Sequence, residues 1–142
     1  MIKLNRHRQC AALPYRVREN VLSVLLVTSI RTKRWVLPKG NIEPGLTARE
    51  SAEFEALEEA GVVGVIAMRR TGTYTYRKSD EKSGLYQVIV FPLEVERELE
   101  TYPESKLRIR EWVSIETAAD RVAESDLKEL LLRFARRLKV SC

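Results

Sequence analysis

Residues Trp35 to Val62 read W-V-L-P-K-G-N-I-E-P-G-L-T-A-R-E-S-A-E-F-E-A-L-E-E-A-G-V, a short apolar segment followed by a loop and a helix. The helix is predicted to begin after Thr47, a good N-cap, with Glu50 three residues later completing a capping box. It is predicted to end at Ala60, because Gly61 can adopt the left-handed conformation that follows a helix end. These signals give a loop that leads directly into a well-defined helix.

Three carboxylates lie on this helix at positions i, i+3 and i+4, namely Glu55, Glu58 and Glu59. In an α-helix this spacing places them on one face, where like charges cost about 0.2–0.5 kcal/mol per pair. A bound divalent cation is one reason to tolerate that cost, and a solvated acidic face is the alternative. Gly40, in the loop, lets a peptide carbonyl approach an ion without a side chain in the way.

The same stretch resembles the Nudix box, whose family pattern is G-x5-E-x7-R-E-U-x-E-E-x-G-U, with U a bulky apolar residue. The matching positions are Gly40, Glu55, Glu58, Glu59, Gly61 and Val62, with Ala56 as a small version of the first U. Leu46 and Phe54 replace the motif glutamate and arginine, which in the family often form a salt bridge that braces the loop. An ion pair exchanged as a unit for packed apolar groups is often neutral or stabilising by ~1–4 kcal/mol. We therefore hypothesise that Leu46 and Phe54 touch and brace the loop by packing.

The resemblance implies a Mg²⁺ cofactor, or alternatively Mn²⁺, held by the Gly40 carbonyl and by Glu55, Glu58 and Glu59. It assigns catalysis to Glu55 and Glu58, with Glu55 acting as a metal ligand or as the general base. Family members differ in the position of the base, so glutamates outside the box stay open as candidates: Glu94, Glu96, Glu98 and Glu111. His7 is the only histidine, which argues against most zinc sites and against a Ser-His-Asp triad.

Residues 9–16, 29–35 and 108–116 also resemble the diadenosine polyphosphate and diphosphoinositol polyphosphate hydrolases. That branch binds highly anionic substrates, and a net charge of +5 is compatible with an anionic partner. The predicted substrate-binding residues are Arg16, Arg31, Arg34, Lys39, Tyr76, Arg108 and Arg110. Arginine forks suit phosphate, although a solvated surface charge is the alternative for each arginine. Tyr76 is expected to stack on a base, or to pack in the sheet together with Tyr74.

The function implied by the resemblance is Mg²⁺-dependent hydrolysis of a phosphoanhydride bond in a nucleoside-diphosphate-linked or polyphosphate substrate. Diadenosine polyphosphates and diphosphoinositol phosphates are the favoured substrates. One alternative is a nucleoside triphosphate or ADP-ribose pyrophosphatase, and another is a catalytically impaired Nudix-like module that binds a nucleotide or polyphosphate. Nucleic-acid binding through the basic last helix is the weaker interpretation, because those charges are expected to lie on its polar side.

The order of predicted elements indicates an α+β (mixed α/β) fold, and the resemblance implies a Nudix-type α/β/α sandwich with a mixed sheet. Strands are predicted at 20–29, 62–68, 71–76, 85–95 and 109–113, and later helices at about 115–122 and 126–139. We expect one domain over residues 1–142, as a monomer or homodimer. Without a membrane span or secretion signal, and with two cysteines, the expected location is the cytoplasm.

Overall fold

The computed structural model describes residues 6–77 and 84–140. Within these residues eight strands form one sheet: β1 (Arg6–Arg18), β2 (Val21–Thr28), β3 (Trp35–Val36), β4 (Lys39–Asn41), β5 (Val62–Ile66), β6 (Gly72–Arg77), β7 (Leu85–Glu98) and β8 (Arg110–Ser114). The helices are α1 (Ala48–Glu55), which continues as a π-helical turn (Ala56–Ala60), α2 (Ile115–Arg121) and α3 (Ser125–Val140). The polar segment Lys78 to Gly84, which the sequence predicts to be a loop between the strands 71–76 and 85–95, lies almost wholly outside the described residues.

Strand β1 is central to the sheet and was not among the predicted strands. It runs parallel to β7 from Arg6 to Tyr15 and antiparallel to β2 and β4. The other strand pairs are antiparallel, so the sheet is mixed, as expected. Residues 9 to 13 are buried on both faces of the sheet, so they lack the apolar and polar alternation of a half-buried strand.

The sheet separates two apolar layers, because alternate residues of each strand point to opposite faces. On one face Leu13, Val24 and Val90 pack with α2 and α3. On the other face Ala12 and Leu25 pack against α1 and the π-helical turn. Helices therefore cover both faces, which confirms the predicted mixed fold. The helix α1 with its π-helical turn, here called the acidic helix, lies on the face opposite α2 and α3.

The predicted strand 85–95 continues through Pro92, which lies where β7 stops pairing with β6 and begins to pair with β5. Residues Leu85 to Val90 of β7 pair with β6, and residues Leu93 to Glu98 pair with β5. Pro92 has no N–H to donate, and its carbonyl accepts a hydrogen bond from Ala67 N at 2.8 Å. Pro92 thus lies between the part of β7 that pairs with β6 and the part that pairs with β5.

The predicted capping of α1 is present in both directions. The Thr47 hydroxyl accepts from Glu50 N at 3.1 Å, and the Glu50 carboxylate accepts from Thr47 N at 2.9 Å. The helix ends at Gly61, whose φ of 65° is left-handed, as predicted. The final turn is π-helical from Ala56 to Ala60, a widening that the sequence did not indicate. Among the described residues, no helix is long and apolar enough to cross a membrane.

Candidate active site

Glu55 and Glu59 form a buried carboxylate pair at the junction of α1 and the π-helical turn. They are 9% and 7% exposed, and their side chains are hydrogen-bonded to each other. Burial, followed by the charge of Glu59, raises the pKa of Glu55 to about 8. Burial also raises the pKa of Glu59, against the opposing effect of Arg108. Two carboxylates held together in this way share a proton unless a cation neutralises them.

Gly40 brings backbone directly against this pair, because β4 pairs with β1 in the register Gly40 opposite Cys10. A Cβ atom at Gly40 would lie 2.5 Å from the carboxylate carbon of Glu55, so any larger residue would force that side chain to move. The Cys10 thiol donates to the Gly40 carbonyl at 3.7 Å. Burial raises the pKa of Cys10 to about 12, which keeps the thiol protonated.

The donor atoms of the predicted metal ligands suit a hard cation in their chemistry. Carboxylate and carbonyl oxygens are the donors that Mg²⁺ and Mn²⁺ prefer, and Glu55 and Glu59 converge beside the Gly40 backbone. Glu58 is half-buried in the same turn, and its charge also raises the pKa of Glu55. In residues 6–77 and 84–140 the acidic, cysteine and histidine side chains do not stand in a ready-made group of three for a metal. Of the predicted ligands, Glu55 and Glu59 are the two side chains that are hydrogen-bonded to each other.

Both oxygens of the Glu59 carboxylate are held by protein donors. Lys39 N donates to Oε1 at 3.1 Å, and Arg108 Nη2 lies 3.2 Å from Oε2. Arg108 also donates from Nε to Glu104 at 2.7 Å and from Nη1 to the Thr28 carbonyl at 3.0 Å. Its side chain is only 11% exposed. Glu59 is therefore oriented from two sides.

Arg110 lies against backbone at the end of the π-helical turn. Its Nη1 donates to the Ala60 carbonyl at 2.9 Å, and its Nη2 donates to the Leu99 carbonyl at 2.7 Å. Its guanidinium also lies 4.7 Å from the ring centroid of Tyr102. These contacts satisfy carbonyls at the helix end, so the observed partners of Arg110 are structural.

Lys39, whose backbone N–H binds Glu59, extends its side chain to Tyr76. Lys39 Nζ donates to the Tyr76 hydroxyl at 3.3 Å and lies 4.5 Å from the ring centroid. The Tyr76 hydroxyl donates to Gln9 Oε1 at 2.7 Å, and the ring stacks on Tyr86 with centroids 5.1 Å apart. Tyr74, by contrast, is 2% exposed and packs in the core. Of the two tyrosines, Tyr76 is thus the one that contacts Lys39.

The remaining predicted substrate contacts occupy different parts of the surface. Arg31 is exposed in the turn between β2 and β3, and Arg34 lies 3.9 Å from Glu124, which precedes α3. Arg16 lies 4.0 Å from the Trp112 ring centroid and 3.4 Å from Glu98. The contacts of Arg16 thus differ from those of Lys39 and Arg108, which touch the carboxylate pair.

Sequence reasoning missed Glu104, which lies beside the carboxylates. Its backbone N–H donates to the Glu58 carbonyl at 3.0 Å, and its charge contributes to the raised pKa of both Glu55 and Glu59. The spacing of Glu104 and Arg108, i and i+4, was a weak signal available in the sequence.

The glutamates outside the box that the sequence left open as general bases have other neighbours. Glu98 pairs with Arg16, and Glu111 pairs with Arg121. Glu94 and Glu96 line a small cavity together with Arg16.

Leu46 and Phe54 line one shallow groove together with Leu57 and Val63. They remain 41% and 50% exposed, so any packing between them is incomplete. The hypothesis that they touch and brace the loop therefore stays a prediction.

Comparisons with known proteins agree with this architecture. A family model described as the NUDIX domain matches residues 5–134. The chain is 32% identical over 142 residues to "Nudix hydrolase 18, mitochondrial" of Arabidopsis thaliana, covering 95% of this chain and 80% of that protein. It is 38% identical over 114 residues to "Diphosphoinositol polyphosphate phosphohydrolase 3-alpha" of Mus musculus, covering 78% of this chain and 66% of that one. Two further Arabidopsis relatives are matched over only 64% and 60% of their length.

Solved structures share the fold. A C. elegans Ap4A hydrolase in a binary complex superposes with a TM-score of 0.75 at 21% identity, over 94% of this chain and 98% of that chain. The NUDIX domain of Shewanella oneidensis NrtR, complexed with ADP ribose, gives a TM-score of 0.72 at 16% identity, over 94% and 89% of the two chains. With the family match over most of its length, the chain belongs to the Nudix hydrolase family, whose members are generally pyrophosphohydrolases.

Proposed function

We propose that this chain hydrolyses a phosphoanhydride bond in a nucleoside-diphosphate-linked or polyphosphate compound, with Mg²⁺ or Mn²⁺ as cofactor. The observation that carries the proposal is the buried Glu55–Glu59 pair held against Gly40. Burying two carboxylates side by side is unfavourable unless a cation or a proton compensates them. A basic residue, Lys39, stands next to the pair, where an anionic substrate would arrive.

The proposed ligands are the Gly40 carbonyl, Glu55, Glu58 and Glu59. When bound, the cation would neutralise the diphosphate and lower the pKa of an attacking water. Glu55 is proposed either as a ligand of the cation or as the general base. As the base, it accepts a proton from the water while the water oxygen bonds to phosphorus, the anhydride P–O bond breaks, and the bridging oxygen leaves with the departing phosphate. A positioned general base contributes roughly 10²–10⁴-fold to the rate.

For the substrate we favour a diadenosine polyphosphate or a diphosphoinositol phosphate. The mouse relative named for diphosphoinositol polyphosphate supports this class, as does the fold shared with a C. elegans Ap4A hydrolase. Lys39 would bind phosphate, with Arg34 and Arg31 at the β2–β3 turn as further contacts. Tyr76, stacked beside Lys39, is the proposed surface for a base or a ring.

The test is an assay of the purified chain with Mg²⁺ and then Mn²⁺. The panel holds a diadenosine polyphosphate, a diphosphoinositol phosphate, ADP-ribose and a nucleoside triphosphate. Glu58→Gln is the inactivating variant. Glu53→Gln is its matched control, because Glu53 lies on the same helix and is exposed. We expect metal-dependent turnover that Glu58→Gln abolishes and Glu53→Gln retains.

The panel also separates the alternatives. Faster turnover of ADP-ribose, the ligand in the NrtR structure, or of the triphosphate would replace the favoured substrates within the same chemistry. Absence of turnover across the panel, with ligand binding still measured by calorimetry, would replace the enzyme with a binding module. Turnover that is equal in Glu58→Gln and in the parent chain would contradict the proposed metal ligands.

We also propose that residues 1–142 form a single domain located in the cytoplasm. The family match over residues 5–134 supports the first statement. Several relatives carry "mitochondrial" or "chloroplastic" in their names, so those compartments are the alternatives. Fluorescence microscopy of a tagged chain beside organelle markers distinguishes them.

A further inference from the structure

The segment 99–109 between β7 and β8, here called the strap, holds the C-terminal end of the acidic helix. Leu99 N donates to the Gly61 carbonyl at 2.8 Å, and Glu104 N donates to the Glu58 carbonyl at 3.0 Å. The Tyr102 ring occupies the space beside Gly61. The strap therefore fixes the backbone on which Glu58 and Glu59 stand.

Arg108 is the residue of the strap that reaches a carboxylate of the site. Each of its three guanidinium nitrogens faces a protein acceptor: Nη2 faces Glu59, Nε faces Glu104, and Nη1 faces the Thr28 carbonyl. The side chain is 11% exposed. A guanidinium buried and engaged in this way is poorly placed to form the two-pronged contact with phosphate that arginine usually makes.

The box itself has no ion pair at the two positions where the family often has a salt bridge. With Leu46 and Phe54 at the positions of the family's salt bridge, and both about half exposed, the box supplies no ion pair of its own there. Arg108 instead ties the acidic turn to the end of β2 through Thr28. Partners that orient a metal ligand typically change metal affinity or activity by about 10–100-fold when they are removed.

We propose that Arg108 is a positioning residue, which orients the metal ligand Glu59 and takes over the bracing role of the salt bridge missing at Leu46 and Phe54. This inference rests on the proposed function. It assigns Arg108 to the carboxylates of the site, where the sequence had suggested a contact with substrate.

The test measures Mn²⁺ affinity by electron paramagnetic resonance, and kcat and KM on the fastest substrate, in Arg108→Gln and Arg108→Lys. We expect Arg108→Gln to weaken Mn²⁺ binding and lower kcat by about 10–100-fold, with KM within about twofold. Arg108→Lys keeps the charge but not the fork, so it should be intermediate. Arg121→Gln is the matched control, because Arg121 forms an exposed ion pair with Glu111. It should leave all three values unchanged.

A rescue experiment tests the bracing role itself. Leu46→Glu together with Phe54→Arg restores the family's ion pair, and in the Arg108→Gln background it should recover at least several-fold of the lost Mn²⁺ affinity. The same two changes in the parent chain should have little effect, because Arg108 already holds Glu59. Absence of recovery would contradict an exchange of one brace for the other.

Other outcomes separate the inference from the function on which it rests. A large rise in KM with unchanged kcat and Mn²⁺ affinity would overturn the inference and make Arg108 a substrate contact. Unchanged Mn²⁺ affinity with a lower urea midpoint would also overturn it, leaving Arg108 a role in stability alone. If the parent chain binds Mn²⁺ but turns over no substrate, the proposed function fails, and Mn²⁺ affinity in the Arg108 variants still decides the inference.

Discussion

Gly40 meets the Glu55 carboxylate without an intervening side chain, so a single methyl group tests the geometry of the site. In Gly40→Ala the new Cβ would lie 2.5 Å from the Glu55 carboxylate carbon, and Glu55 must move away. A displacement of about 1 Å at a reacting group can cost about 10²-fold in rate. We expect a loss of that order in kcat, measured beside Gly45→Ala, whose Cβ meets nothing within 4 Å. Equal kcat in the two variants would show that Glu55 does not work from its present position.

A comparison of Gly61 with Gly45 separates backbone strain from steric crowding at the end of the acidic helix. Gly61 and Gly45 both have positive φ, 65° and 85°, but only at Gly61 would a Cβ collide with a neighbour, 2.5 Å from Cγ of Tyr102. Gly61→Ala should destabilise the chain by roughly 2–5 kcal/mol, the sum of strain and overpacking, and Gly45→Ala by about 1 kcal/mol. Urea unfolding measures both. Equal losses of unfolding free energy would mean that the Tyr102 ring moves aside at no measurable cost.

At this scale the sequence identified which residues carry charge but not the direction of their side chains. Glu55, Glu58 and Glu59 were readable because helical spacing fixes their relative placement. Arg108 and Arg110 looked equivalent, as basic residues two positions apart near a strand. The fold sends one to a carboxylate and the other to backbone carbonyls. Such partners depend on strand register, which distant parts of the chain determine.

Among the elements, α1 depends on its first turn, because its eight residues are too few for a stable isolated helix. Thr47→Ala removes the hydroxyl that accepts from Glu50 N, and should cost about 1 kcal/mol in the free energy of unfolding. Thr47→Ser keeps the hydroxyl and serves as the control, with a smaller loss. If both variants unfold at the same urea concentration, the capping hydrogen bond contributes nothing measurable.

The elements that the sequence predicted are those with local signals, and β1 shows why others were missed. Thr47, Glu50 and Gly61 specify the ends of α1 within a few residues of the chain. β1 instead contains Ala11, Ala12 and a proline, residues of low strand preference. Pairing on both sides by β7 and β2 makes this segment a strand. The π-helical turn was missed for a related reason, since no residue in A-L-E-E-A distinguishes it from an α-helical turn.

For the whole molecule, the sandwich explains why the site lies where it does. The large apolar residues of α3 cover one face of the sheet, and the small residues Ala52, Ala56 and Ala60 let the acidic helix approach the other face closely. That close approach brings Glu55 and Glu59 against Gly40, at the short strand β4. The fold thus supplies the burial that raises the pKa of Glu55. Hydrogen bonds from the strap also hold the backbone of the π-helical turn.

The net charge of +5 belongs to the whole molecule and gives its own prediction. Attraction between exposed charges is screened over about 10 Å at 0.1 M salt. Raising KCl from about 50 to about 200 mM should therefore raise KM for a polyphosphate several-fold, with kcat nearly constant. ADP-ribose, which carries fewer charges, should show a shallower dependence in the same titration. Parallel slopes for the two substrates would mean that the basic residues of the molecule, Lys39 and Arg34 among them, do not select for charge. Selectivity would then have to arise from contacts such as the Tyr76 ring.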